Sequence, residues 1–217
     1  GITNSETDKQ VNKVDIGYSF DLLNERRRVL HQGGVIITYS EFAKGAQEGQ
    51  ELKVSIFALD YSRLSFVNVP FTSKESKVIF RASGQYSGKS LSEVLQYGLA
   101  GPTRARGYKI NEFFADDAAY VGADWVFDGP QFGGKTFAGE RWDKLLQPFL
   151  FIDAAYGVNH ALIEGDDSVK THLVDAGIGF KLGFKNGLRG NLSLAFPVDS
   201  KNSSMESFDE EMEEGPE

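Results

Sequence analysis

The side chains that could do chemistry are few and poorly arranged for catalysis. His31, His160 and His172 are the only histidines, and no two stand at the spacing of a helical or strand metal pair, so a zinc or iron centre has no support. Ser and Asp are plentiful, yet no G-x-S-x-G elbow places a nucleophile, and no phosphate-binding loop is present. Gly177, Gly179 and Gly183 lie within an alternating, strand-like stretch, where glycine makes room for a neighbour more readily than for a nucleotide. Asp116, Asp117 and Asp124 could be written as paired carboxylates of a hydrolase, but no cleft is implied around them and they read as hydrophilic loop and interior positions. The acidic run at the C-terminus lacks the spaced Asp/Asn/Gly loop of a calcium site. The chain is therefore expected to be no enzyme and to hold no metal or cofactor. Any ion pair among the remaining charged residues would have to be brought together by the fold.

The elements that must position such a pair are strands. Among 217 residues, 17 Phe, 8 Tyr and 24 Gly against 6 Pro favour strands joined by tight turns. Period-two alternation recurs in about eight segments. Val14, Ile16, Tyr18 and Phe20 share one side of the first, and the second covers 34–42. The third, 52–68, changes its apolar parity midway, as a bulge would cause. In the fourth, Val78, Phe80, Ala82 and Tyr86 oppose Arg81, Ser83, Gln85 and Ser87, and the fifth covers 118–127. The sixth, 148–158, turns Leu150, Ile152 and Tyr156 to one face and Phe151 and Asp153 to the other. In the seventh, His172 and the even residues Val174 to Phe184 oppose Asp175, Gly177, Gly179, Lys181 and Gly183. The eighth sets Leu188, Leu192, Leu194 and Phe196 against Arg189, Asn191 and Ser193.

Such alternation fits a soluble β-sandwich, whose apolar face meets a second sheet, or a membrane barrel, whose apolar face meets lipid. Tyr18, Tyr86, Trp125, Tyr156 and Phe184 could form interfacial aromatic girdles, which favours the barrel. No run of ~18 apolar residues exists, so a membrane helix is excluded while a barrel is not. A net charge of −8 offers no basic face for nucleic acid, and the absence of Cys suits an oxidising compartment without proving one.

A resemblance sharpens this reading. The stretch QYSGKSLSEVLQYGLAGPTRARGYKINEFFADDAAYVGADWVF resembles the region of two-partner secretion transporters (TpsB or ShlB type, BamA-like superfamily) that runs through the sixth extracellular loop. Ala105-Arg106-Gly107-Tyr108 is similar to the VRG(F/Y) tip of that loop, and Phe151-Ile152-Asp153-Ala154-Ala155 to a later F-x-D-x-G strand motif, with Ala105 for the usual Val and Ala155 for the usual final Gly. The resemblance spans roughly residues 78–200.

It implies an antiparallel transmembrane β-barrel of the bacterial outer membrane, with residues 1–200 as the C-terminal eight or so of roughly sixteen strands. Loop 89–117 would fold into the lumen, and 201–217 would form an acidic loop or tail. Further barrel strands and periplasmic POTRA domains are the implied partners, with outer-membrane lipid and a polypeptide cargo. The implied function is export of an unfolded polypeptide; an outer-membrane protein insertase is the alternative, and a soluble β-sandwich binding module is the alternative outside the family. The loop residues Arg106, Gly107 and Tyr108 are expected to meet Asp153, Phe151, Gly177 and Gly179. A lumenal carboxylate is best stabilised by a cation in a charge-assisted, bidentate pair, and Arg106 sits on the one loop long enough to reach it. Gly107 is expected to allow a sharp turn or positive φ, Tyr108 to anchor the tip, and the interior glycines to make room for the loop.

Overall fold

The computed structural model describes residues 10–44, 51–70, 74–110, 112–137, 139–163 and 166–203. All eight alternating segments form strands: β1 (Gln10–Asn24), β2 (Val29–Lys44), β3 (Lys53–Asn68), β4 (Glu75–Tyr86), β5 (Asp117–Val126), β6 (Leu146–Asn159), β7 (Val169–Gly183) and β8 (Arg189–Asn202). They pair antiparallel, each with its neighbours in chain order, in one eight-stranded sheet. The sheet is open, with β1 and β8 at its edges. Among the described residues no helix is long and apolar enough to cross a membrane, which bears on helices alone.

Because a strand's side chains alternate, the register divides the sheet into two faces. One row of paired residues runs Arg81, Gly122, Asp153, Asp175, Pro197 from β4 to β8. That inner face carries the buried polar groups, among them Asp124, Asp153, Asp175 and Thr171. The outer face is apolar and bare. Ile16, Ile37, Phe57, Val121, Ile152, Ile178 and Leu194 are all exposed large hydrophobics spread across seven strands, with Ile178 at 50% and Leu194 at 63%. The even series Val174 to Leu182 thus lies outward and Asp175, Gly177, Gly179 and Lys181 inward.

Two boundaries differ from expectation. The third strand contains no bulge, for β3 keeps continuous register with β2 and β4. Its parity changes because Val54 and Ile56 are inward-facing and apolar, packed under Leu91 and Leu95 of the long loop. Breaks in register fall instead at the start of β1, between Gln10 and Val11, and between Val174 and Asp175 on β7, where β8 has Val198 in excess. The acidic tail does not begin at 201, since β8 continues through Lys201 and Asn202; residues 204–217 lie outside the described residues.

The connections alternate between the two ends of the sheet. At one end lie the turns at 25–28 and 184–188 and the excursion 127–145. At the other lies the connection between β4 and β5, which is not structureless: Tyr97–Gly98 pairs with Phe114–Ala115. It fills the inner face with Leu99, Ala100, Ala105 and Ala115, buried against Ala118, Tyr120, Ala155 and Leu173.

Candidate functional site: the loop arginine on the inner face

Both stems of the loop are pinned by carboxylates. Buried Asp116 accepts hydrogen bonds from the Leu91 amide (2.9 Å), the Gln96 side chain (2.9 Å) and the His160 amide (2.7 Å). Asp117 accepts from the amides of Ser87 (2.6 Å) and Gly88 (3.1 Å) and lies 2.7 Å from His160 Nε2. Two of the three acids that could have been read as a hydrolase pair are therefore fasteners of backbone, and His160 belongs to the same fastening.

Between these stems the chain descends to Arg106, which meets Asp153 in the expected fork. Nε donates to Oδ2 at 2.7 Å and an Nη to Oδ1 at 3.1 Å, the bidentate geometry a guanidinium provides and an ammonium does not. The same Nη lies 2.8 Å from Asp124. The Arg106 guanidinium stacks on the Phe151 ring, 3.6 Å from its centroid. Arg106 is 6% exposed and its acidic partners 0–2%, so water screens this contact little. Burial opposes the Arg106 charge, but hydrogen bonds to Asp153 and Asp124 outweigh it and raise its pKa above the ordinary guanidinium value.

Asp153 is only half of the counter-charge. Asp124 is also held by Arg81 in a second fork (2.7 and 3.1 Å) and by Lys181 at 2.8 Å, and Lys181 passes over the Phe149 ring to reach it. Tyr120 donates to Asp153 at 2.8 Å. Arg81, Tyr120, Asp124 and Lys181 were not legible as site residues. Their inward parity could be read from the alternation, but their meeting depends on the pairing register of four strands, which alternation does not contain.

The glycines serve purposes other than those expected. Gly107 does not take positive φ; that conformation belongs to Ala105, at φ 38°, where a β-branched residue is strongly disfavoured. The Val usual at this place in the resembling motif would be strained here. Gly107 is needed for close approach, since a Cβ there would lie 2.8 Å from the Asp175 Cβ and 3.1 Å from the Pro197 nitrogen. Gly177 and Gly179 make room for rings of the adjacent strand instead of for the loop: an added Cβ would be 2.5 Å from Phe151 and 2.6 Å from Phe149. The glycine that admits the loop is Gly157, whose Cβ would stand 2.5 Å from that of Ala115 and 2.7 Å from Leu99. Ala155, in place of the motif's final Gly, packs in the same cluster.

Tyr108 anchors the tip as expected, at the register break between β7 and β8. Its hydroxyl lies 3.0 Å from the Val174 carbonyl and 2.5 Å from that of Asp199 and donates between them, while its ring meets Phe113 edge-on. The tip thus docks where β8 carries its bulge, with the hydroxyl between β7 and the segment 197–199.

Fold and site together define an all-β protein in which one antiparallel eight-stranded sheet carries an arginine-bearing loop on its inner face. No family model matches the chain, and no curated protein or solved structure matches it.

Proposed function

We propose that this chain is part of an outer-membrane β-barrel that exports an unfolded polypeptide through its lumen, with the Arg106 loop as a movable, conformation-setting element inside. The observation that carries the reading is the division of the sheet. Its outer face is bare and apolar over the whole eight-stranded width, while its inner face holds charges neutralised within the protein. Contiguous apolar surface on this scale needs a cover. A sandwich would supply a second sheet, and among the described residues none lies against this face. Lipid provides the cover in a barrel.

Aromatic placement supports the same reading. Trp125 lies towards one end of β5, while Tyr86 ends β4 and Tyr156 nears the opposite end of β6, close to two levels along the strands. The open edges of β1 and β8 leave unpaired backbone groups, which lipid cannot satisfy, so further strands must pair with them in a bilayer. No nucleotide is required by this mechanism. The cargo would pass the cleft between the loop and β1–β4, a cavity of about 490 Å³ whose lining includes Gln32, Asp60, Ser62, Arg81 and Arg104.

The test is extraction followed by reconstitution. The complete protein, with the further strands this chain needs, is expected to fractionate with membranes, to resist alkaline extraction and to need detergent for solubility, and in liposomes to open a pore whose conductance falls when polypeptide cargo is added. A detergent-independent, monodisperse soluble protein would defeat the reading.

A further inference from the structure

Three buried carboxylates stand on three adjacent strands of the inner face: Asp124 on β5, Asp153 on β6 and Asp175 on β7. Three cations serve them, Arg81, Arg106 and Lys181, so the cluster is neutral in sum but uneven in distribution. Asp124 receives hydrogen bonds from all three cations. Asp153 has Arg106 and Tyr120, with Arg81 at 3.9 Å. Asp175 sits directly opposite Asp153 in the register, is 0% exposed, and no side chain hydrogen-bonds to either oxygen; the polar group nearest to it is the Gly107 backbone amide. A buried carboxylate without a cation is costly even beside a backbone amide, and an acid already held by two other cations can release one at small loss.

We infer that the loop has two seats, in which Arg106 pivots on Asp153 and exchanges Asp124 for Asp175. In the observed seat Arg106 bridges β5 and β6. In the second it bridges β6 and β7, leaving Asp124 with Arg81 and Lys181. The step is one strand spacing, ~4.8 Å. Gly107 already lies against the Asp175 side chain, so the backbone beside Arg106 needs no new path to reach it. The remaining neighbours do not compete for the role. Pro197 faces Asp175 from β8 and carries no charge, Tyr108 is engaged by backbone carbonyls, and His172 contacts Asp199, each beyond the cluster. Interfaces with two discrete packings are how small local exchanges become switches. This inference rests on the proposed mobility of the loop and names the residues that would set it.

The chain lacks Cys, so spin labels can be placed at Lys109→Cys on the loop and Ser19→Cys on the inner side of β1, across the strands over which the loop would step, and their separation measured by pulsed electron resonance in the complete protein in nanodiscs. Two distances differing by about one strand spacing are expected. Asp175→Asn, which keeps the shape and removes the charge, should abolish the second. Asp124→Asn should raise it about tenfold or more, the loss of one charged hydrogen bond from the first seat. If Asp175→Asn leaves both distances in the original ratio, the two-seat assignment is overturned while loop mobility stands. If one distance persists in the parent and both variants, mobility and the second seat fall together.

Discussion

The inner face of the sheet has two halves that differ more from each other than either differs from its sequence pattern. Under β4–β7 it is filled: Leu99, Ala105 and Arg106 descend from the loop and every described position from Asp116 to Val126 of inward parity is buried. Under β1–β3 most of it lies open, with Lys13, Asp15, Gly17, Ser19 and Asp21 exposed on the inward side of β1. In both halves the outward positions are mainly apolar and the inward ones mainly polar, with Ile36, Val54 and Ile56 among the inward exceptions. The difference is one inserted segment, which converts polar positions that could have been solvated into a neutralised, dry cluster. Polar-inward residues therefore mean two things in this protein, a wet wall where nothing covers them and a charge lock where the loop does.

The contrast breaks most sharply at the lock. Arg106→Ala or Asp153→Ala strands a buried partner and should cost ~3–5 kcal/mol of loop docking, read as protease sensitivity of residues 89–115 with the strands intact. The double variant should cost less than the sum, because one interaction cannot be lost twice. Additive losses would show that the pair is not a unit. Next in size is the outer face: Ile178→Arg should cost ~2–4 kcal/mol in denaturant unfolding from bilayers.

Steric closure comes third. Gly157→Val places methyls where Leu99 and Ala115 sit and should cost ~1–3 kcal/mol, lifting the loop without touching a charge. The smallest effect is expected in the open half, where Ser19→Ala should stay within about 0.5 kcal/mol in the same unfolding assay. A loss at Ser19 as large as at Gly157 would erase the distinction between the halves.

Much of this was legible from residue order. The eight strands follow from period-two alternation, and the inward parity of Asp153, Asp175 and Lys181 follows with them. The Arg106–Asp153 contact was legible through the resemblance of ARGY and FIDAA to paired motifs. The shared role of Asp124 was not, because it depends on β5 and β6 pairing so that Asp124 faces Phe151 and Asp153 faces Gly122. Nor could alternation distinguish a bulge in β3 from an apolar inner patch, since both change parity. Val54 and Ile56 are inward because the loop supplies Leu91 above them, a tertiary cause that leaves no local trace. The unused capacity of Asp175 likewise appears only once every neighbour's hydrogen bonds are known.

Whether the outer face meets lipid is measured most directly by a spin-label accessibility scan along residues 174–183 of β7 in bilayers. Even positions, Ile178 and Phe180 above all, should be accessible to oxygen and shielded from a water-soluble relaxation agent. Odd positions from Asp175 to Lys181 should be shielded from oxygen, and Arg106→Ala should open them to the water-soluble agent. Even positions that respond to the water-soluble agent as freely as the exposed turn at Lys185 would contradict the account.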